Sequence, residues 1–274
     1  MGRVIFIFFI FCFAFISSSK ANDSTLQLQL KKSVAGNYKD FEVDNLGNIY
    51  LISNSNQIKK IAENLDSIGV FNDSRRYGDI SSIDVNNPLK ILIFYKDFST
   101  TLILDRFLNV RNSIDLRKQN ILQASCVSTS YDNNIWLFDE LDSKLKKVDD
   151  DGNVLLETVD FRLLFDNDFV PDKIIDTNKK LFLYNKQKGL IVFDYYGAFK
   201  KKYAILGLES IQIENDDLIG FNKGRLQYYN LNLLKQTFKN VINKIDFSKK
   251  SIFQKNQFYF LSTDGLEIYT SKYL

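Results

Sequence analysis

Histidine is absent from this chain of 274 residues, and cysteine, proline and methionine are rare, with two, two and one copies. The absence of imidazole excludes histidine zinc sites, histidine general bases and the Ser/His/Asp triad. An excess of one charge sign is also missing, because 36 basic and 33 acidic residues leave a net charge of +3. We therefore expect no nucleic acid partner, since phosphate binding depends on clustered positive charge.

The N-terminus is apolar but too short to cross a membrane. Residues 4–16 form an unbroken apolar stretch after Arg3, whereas a spanning helix needs roughly 17–25 residues. The small residues Ser19 and Ala21 follow it at the positions that signal peptidases require. This order predicts a signal peptide over residues 1–21, cleaved after Ala21. It further predicts export to the periplasm or the cell exterior, with no membrane span left after cleavage.

The only cysteine left after cleavage is Cys126, so an exported domain of residues 22–274 would contain no internal disulfide. Cys126 lies beside Ala124 and Val127, among residues typical of a strand. A buried, inert thiol is the favoured interpretation, because the sequence has no histidine to activate a nucleophile.

A repeat organises the chain after residue 22. Short runs rich in Ile, Phe, Tyr, Leu and Val alternate with Asn, Asp, Gly and Lys, which is the composition of strands and turns. One run recurs at positions 49, 91, 135, 181, 218 and 258, and a second at positions 58, 101, 145, 190, 226 and 266. Another apolar run precedes each such pair, and a further run follows each pair except the last. Four strands in each of six repeats predict an all-β fold, a six-bladed β-propeller with four antiparallel strands per blade.

The last repeat has only three runs before the chain ends at Leu274. Residues 25–30, T-L-Q-L-Q-L, alternate apolar and polar side chains with the period of a strand. We predict that this N-terminal strand supplies the fourth strand of the last blade and closes the ring, which would remove an exposed sheet edge.

Three runs in the first and third repeats are the best-formed motifs, and the other repeats are degenerate: D-x-x-G-N-I-Y at 44–50, N-I-W-L-F-D at 134–139 and L-K-K-V-D-x-D-G-N at 145–153. In these motifs the chain resembles exported six-bladed propellers of the NHL-repeat, TolB-like and sugar-lactonase groups. The resemblance implies blades and no particular chemistry. Lactonase-type members hold a divalent metal in the central channel with Glu, Asn and Asp, but no residue of this sequence matches that set. Residues 147–158 lack the carboxylates of a calcium loop at both key ends, so a hairpin turn is favoured there.

In such a propeller, the loops between second and third strands share one face with the connectors between blades. Arg75, Arg76 and Tyr77 in one connector suit the recognition of carboxylates or protein surfaces. The full set of candidate ligand- or partner-binding residues on this face is Arg75, Arg76, Tyr77, Asp139, Glu140, Asp168 and Lys186.

The sequence thus favours an exported, non-catalytic propeller that binds a ligand or a protein partner as a scaffold of a bacterial envelope complex. In this interpretation it has no catalytic residue, no metal and no cofactor. The alternative is a metal-dependent, lactonase-like hydrolase, with carboxylates and amides in the channel binding Ca²⁺ or another divalent ion. A tight acidic cluster at one mouth of the channel would favour the hydrolase, and a channel plugged by Phe and Ile would favour the scaffold.

Overall fold

The computed structural model describes residues 24–165, 169–241 and 249–271, so the predicted signal peptide lies outside the described residues. The described chain begins with β1 (Ser24–Leu26) and β2 (Leu28–Ala35). The helical segments are short: one turn of α-helix, α1 (Ser74–Tyr77), and two 3₁₀ turns, Leu116–Gln119 and Phe161–Leu163. None of the helices in these ranges is long and apolar enough to span a bilayer.

The remaining strands form six blades. In chain order they are, for blade 1, β3 (Tyr38–Val43), β4 (Ile49–Ser53), β5 (Ile58–Ile61) and β6 (Ser67–Phe71); for blade 2, β7 (Ser82–Asn87), β8 (Lys90–Tyr95), β9 (Thr100–Leu104) and β10 (Val110–Asp115); for blade 3, β11 (Ala124–Thr129), β12 (Ile135–Asp139), β13 (Lys144–Val148) and β14 (Val154–Glu157); for blade 4, β15 (Lys173–Thr177), β16 (Lys180–Asn185), β17 (Gly189–Asp194) and β18 (Phe199–Tyr203); for blade 5, β19 (Glu209–Glu214), β20 (Asp217–Asn222), β21 (Arg225–Asn230) and β22 (Lys235–Val241); and for blade 6, β23 (Lys250–Gln254), β24 (Gln257–Leu261) and β25 (Gly265–Ser271).

Within each blade, strands that are consecutive in the sequence pair as antiparallel neighbours. The first strands of the six blades are innermost, and they contact one another in the order β3, β7, β11, β15, β19, β23 and back to β3. The prediction of a six-bladed β-propeller with four antiparallel strands per blade is confirmed.

The apolar core lies between blades, as six clusters of buried side chains. The core lies there because side chains alternate between the two faces of each sheet, so every blade packs against both of its neighbours. Strand β12 is an example. Trp136 and Phe138 pack towards blade 4, whereas Ile135 and Leu137 pack towards blade 2. Because both faces are covered, the middle strands read as continuous apolar runs, and these runs are the repeat seen in the sequence.

Asp-rich turns close several hairpins through their own side chains. Asp149 Oδ1 accepts the backbone N–H groups of Asp151 at 3.0 Å and Asn153 at 2.8 Å. Gly152 takes the positive φ of 88° that completes the turn between β13 and β14. The predicted hairpin is therefore present, with the Asp149 carboxylate occupied by its own loop.

The N-terminal segment closes the ring, as predicted, but the strand that joins blade 6 is residues 28–35 rather than 25–30. β2 pairs antiparallel with β25 and supplies the fourth strand of blade 6. The preceding β1 pairs in parallel with β22 of blade 5, with Ser24 opposite Lys239. Leu26 and Leu28, from the two strands, are both buried between blades 5 and 6. The N-terminal segment therefore adds one strand to blade 5 and one strand to blade 6, rather than a single strand to blade 6.

Candidate functional site

Two regions of the propeller are built from many separate segments, and the first is one end of the ring. Because neighbouring strands are antiparallel, the loops between second and third strands emerge at the same end as the connectors between blades. We call this end the connector face; its described segments are 36–37, 54–57, 72–81, 96–99, 116–123, 140–143, 158–165, 169–172, 186–188, 204–208, 223–224, 249 and 262–264. We call the opposite end, made of the other hairpin turns, the hairpin face.

Hydrogen bonds join the connector-face loops of blades 2 and 3 into one surface. Ser99 Oγ donates to the carbonyl of Leu122 at 2.9 Å, across the loop of blade 2 and the following connector. The backbone N–H of Phe161 donates to the carbonyl of Ser143 at 2.7 Å, across the loop of blade 3 and its connector. The backbone N–H of Glu140 donates to the carbonyl of Gln123 at 2.8 Å and links the two pairs, so the four segments form one hydrogen-bonded series.

Asp139 and Glu140, two of the predicted site residues, have different surroundings. Asp139 is 1% exposed, and its Oδ2 accepts a hydrogen bond from Lys146 Nζ at 2.8 Å. Glu140 is half-buried and bridges two neighbours, because Oε1 lies 2.7 Å from Lys96 Nζ and Oε2 accepts from Gln123 Nε2 at 2.5 Å. Asp139 therefore fixes the end of β12, and Glu140 joins the loops of blades 2 and 3.

The predicted Arg75-Arg76-Tyr77 set lies in α1. The Tyr77 ring is buried between blades 1 and 2, with its centroid 5.2 Å from that of Tyr95. Arg76 is exposed, and its guanidinium lies 5.0 Å from the centroid of the Tyr77 ring. Tyr77 thus anchors the connector, while Arg76 faces solvent. Arg75 is in the same helical turn.

The remaining predicted residues are Lys186 and Asp168. Lys186 is exposed in the loop of blade 4, and its Nζ lies 2.7 Å from Glu209 Oε1. Asp168 lies outside the described residues. The structure thus spreads the described members of the predicted set over blades 1 to 4 of one face and does not gather them into a single pocket.

Exposed leucines are the feature of this face that the sequence-based prediction missed. Leu163 is 82% exposed in the connector after blade 3, and Leu122, Leu141 and Phe98 are about half exposed in the adjoining segments. The hairpin face also carries exposed apolar side chains, but its described turns hold one or two in each of blades 1 to 5 and none in blade 6. The sequence did contain a signal for these residues, because each of the four is an apolar residue in a polar loop, outside the runs that predict strands.

The second region is the central channel, a cavity of about 590 Å³ lined by the six innermost strands. Its wall combines isoleucines such as Ile175 and Ile252 with carboxylates and lysines, and no phenylalanine of the described ranges lines it. Cys126 also reaches the channel wall, is 5% exposed and donates from Sγ to the carbonyl of Pro171 at 3.4 Å. Burial raises the pKa of this thiol to about 12, which disfavours the thiolate that a nucleophile needs. The predicted burial of Cys126 is confirmed.

Charged groups in the channel pair across neighbouring blades. Lys250 Nζ of blade 6 lies 2.8 Å from Asp40 Oδ1 and 2.8 Å from Glu42 Oε1 of blade 1. Burial alone would raise the pKa of Glu42, but Lys250 and Lys173 lower it below the ordinary value. Burial likewise opposes the charge on Lys250, yet the two carboxylates raise its pKa.

Two further channel carboxylates accept hydrogen bonds from a neighbouring blade, which is blade 3 in both cases. Asp84 of blade 2 accepts the backbone N–H of Thr129 in blade 3 at 2.7 Å. Asp176 of blade 4 accepts from Trp136 Nε1 of blade 3 at 2.9 Å and from Ser130 Oγ at 3.0 Å. Within the described ranges, no three His, Cys, Asp or Glu side chains lie close enough together to hold a metal ion. The described channel is therefore neither plugged by aromatic rings nor furnished with a compact ligand cluster.

No family model matches the chain, and no curated protein sequence matches it. Solved structures do match in shape. The WD40 domain of Pan2 from Neurospora crassa has a TM-score of 0.63 and 8% identity over 92% of this chain and 96% of that one. A streptogramin B lyase has a TM-score of 0.58 and 12% identity, covering 85% of this chain and 78% of its own. A catalytically inactive virginiamycin B lyase from Staphylococcus aureus, with quinupristin, also has a TM-score of 0.58 and 12% identity, covering 90% and 89%. At these identities the likeness shows the fold, and the chain is a six-bladed β-propeller.

Proposed function

We propose that this propeller is an exported binding module that holds a protein partner on its connector face, as a scaffold of the bacterial envelope. The observation that carries the proposal is the run of exposed apolar side chains, Phe98, Leu122, Leu141 and Leu163, on loops joined by hydrogen bonds. Exposed apolar side chains on neighbouring, hydrogen-bonded loops favour protein association, because covering them removes apolar surface from water.

The charges around this patch support a partner of low charge. Lys96 pairs with Glu140, and Lys186 with Glu209, each at 2.7 Å. Since these ions already have partners, the surface gains little from a highly charged ligand and most from apolar contact. Export is supported by the composition of residues 1–21 and by the single, buried cysteine in the rest of the chain.

Site-specific photo-crosslinking in the producing cell tests the partner surface. A photoreactive residue at position 163 should give a discrete protein adduct, because Leu163 is 82% exposed on the connector face. The matched control is position 233, since Leu233 is 74% exposed in a turn of the hairpin face. Adducts at both positions alike, or at 233 alone, would exclude the connector face as the docking surface.

Export is tested on the same cells. The mature protein should be found in the periplasm or the medium, and N-terminal sequencing should read from Asn22. A chain that retains residues 1–21 in the cytoplasm would contradict the envelope part of the proposal.

The hydrolase alternative depends on the acidic wall of the channel. We favour binding because Lys250 engages Asp40 and Glu42, while Asp84 and Asp176 are held by neighbouring blades. Metal analysis of the purified protein, together with a lactone hydrolysis assay, separates the two functions. A stoichiometric divalent ion with chelator-sensitive hydrolysis would favour the enzyme.

A further inference from the structure

A separate groove lies on the side of blade 5 that faces blade 6, at the hairpin end of the ring. Its volume is about 440 Å³, within the range of about 300–1,000 Å³ that small-molecule sites occupy. Tyr228 and Phe253 form its aromatic floor, with ring centroids 6.2 Å apart. No residue of this groove belongs to the connector face, so its occupant is independent of the partner proposed above.

The strand register places four polar side chains in one row across blade 5. Glu214 pairs with Asp217, Asp217 with Asn230, and Asn230 with Lys235. Directly opposed residues point to the same face of a sheet. The carboxylates are therefore at the channel side of the row and the ammonium group is at the outer side. Asp217 and Lys235 are two strand spacings apart, about 10 Å.

The aromatic floor lies between these charges. Tyr228 is two residues before Asn230 on β21, so its ring occupies the next row of the same face. Lys239 Nζ lies 5.3 Å from the centroid of the Tyr228 ring. Burial raises the pKa of Tyr228 to about 12, and the nearby Glu214 and Asp217 carboxylates add to the shift. The groove thus presents an acidic side, an aromatic floor and a basic side.

The charges of the groove have no ionic partners among the described residues. Neither Glu214 nor Asp217 lies within 4.0 Å of a described Lys or Arg nitrogen, and Lys235 and Lys239 likewise have no such carboxylate. The adjacent Asp216, outside the groove, does pair with Lys180 at 3.8 Å. Opposite charges held apart around one cavity leave both signs available to a ligand that carries both.

We propose that this groove binds a short peptide with free termini. The peptide ammonium group lies between Glu214 and Asp217, its carboxylate reaches Lys235 and Lys239, and an apolar side chain covers the ring of Tyr228. An extended chain spans at most about 3.3–3.6 Å per residue, so two or three residues match the separation of the charges. Recognition of both termini selects peptides by length and makes an uncharged ligand of the same shape a poor substitute.

Isothermal titration of the full mature chain with the tripeptide Ala-Phe-Ala tests the proposal. The free tripeptide should bind, and its N-acetylated, C-amidated form should bind at least about tenfold more weakly, because it lacks both charges that the groove would bind. Maltotriose, an uncharged sugar, should not bind. Equal binding of the free and blocked peptides, binding of maltotriose in their place, or no binding at millimolar concentration would each overturn the proposal.

Variants locate the site. The double substitution Lys235→Gln and Lys239→Gln should weaken binding of the free tripeptide about tenfold. Lys223→Gln is the matched control, since Lys223 is exposed in a turn of blade 5 at the other end of the ring, and it should leave binding unchanged. On the acidic side, Glu214→Gln is preferred to Asp217→Asn, because Glu214 is exposed whereas Asp217 accepts a hydrogen bond from Asn230 at 2.8 Å. Unchanged binding in both the lysine and the Glu214 variants would place the peptide elsewhere.

Discussion

The channel and the connector face use charged residues in opposite ways. In the channel, the Lys250 and Glu42 side chains are each 20% exposed and lie 2.8 Å apart, on strands of two different blades. On the connector face, the Lys186 and Glu209 side chains are 51% and 49% exposed. The channel ions are withdrawn from water and need each other, whereas the surface ions are solvated with or without a partner. The ion pairs of the channel therefore stabilise the contacts between blades. The charged residues of the connector face contribute little to stability and are available for binding.

The largest expected effect is on the ring that encloses the channel. Deleting residues 24–35 removes β1 and β2, and with them the fourth strand of blade 6 and the buried Leu26 and Leu28. The loss exposes the edge of β25 and opens the ring, so we expect no cooperative thermal transition. Circular dichroism against temperature measures this, with the chain beginning at residue 22 as the control. A shortened chain that melts as the control does would show that the ring is closed without β2.

The next effect separates buried from exposed ion pairs. Lys250→Met leaves Asp40 and Glu42 without their shared cation and should lower the free energy of unfolding by about 3 kcal/mol. Lys186→Met removes the exposed partner of Glu209 and should change it by less than about 0.5 kcal/mol. Urea denaturation of both variants gives the comparison. Similar losses in the two variants would show that the channel ions are no more dependent on pairing than those on the surface.

The same channel cluster should produce a dependence of stability on pH at both extremes. The folded-state pKa of Glu42 is below its ordinary 4.5, so its contribution is present above pH 4.5 and is lost as pH falls through the folded value. The folded-state pKa of Lys250 is above its ordinary 10.5, so its contribution is present below pH 10.5 and is lost as pH rises through the folded value.

Glu42→Gln isolates the acidic part of this dependence. Relative to the unsubstituted chain, the variant should lose less stability as the pH falls below 4.5, because it has no carboxylate at position 42 to protonate. Urea midpoints measured across that pH range provide the test. Parallel pH profiles for the two proteins would mean that Glu42 has the same pKa in the folded and unfolded states.

The smallest effect on stability is expected on the connector face. The pair Arg75→Ala and Arg76→Ala should change the free energy of unfolding by less than about 0.5 kcal/mol, because Arg76 is exposed and Tyr77 provides the buried anchor of the connector. The same pair should weaken adduct formation at position 163 in the crosslinking experiment. Undiminished crosslinking would remove the two arginines from the docking surface.

The sequence was most informative where side chains face a core. The runs at 135–138 and 181–184 recur because each blade buries both faces of its middle strands, and this requirement gives every blade the same apolar pattern. The bond from Trp136 to Asp176 across two blades could not be predicted, because it depends on how neighbouring sheets stack. The same limit applies to Tyr77, whose position in a polar connector gave no sign that its ring is buried.

The sequence by itself determined the number of blades, the strands in each and the closure of the ring. Local patterning is sufficient there, because the period of a strand and the chemistry of Asp-Gly turns act over a few residues. Only the tertiary structure decided that β1 joins blade 5, that Lys250 unites Asp40 and Glu42, and that Glu214 and Lys235 share one groove. Those contacts join residues that are distant in the chain, and their geometry exists only once the blades have packed into a ring.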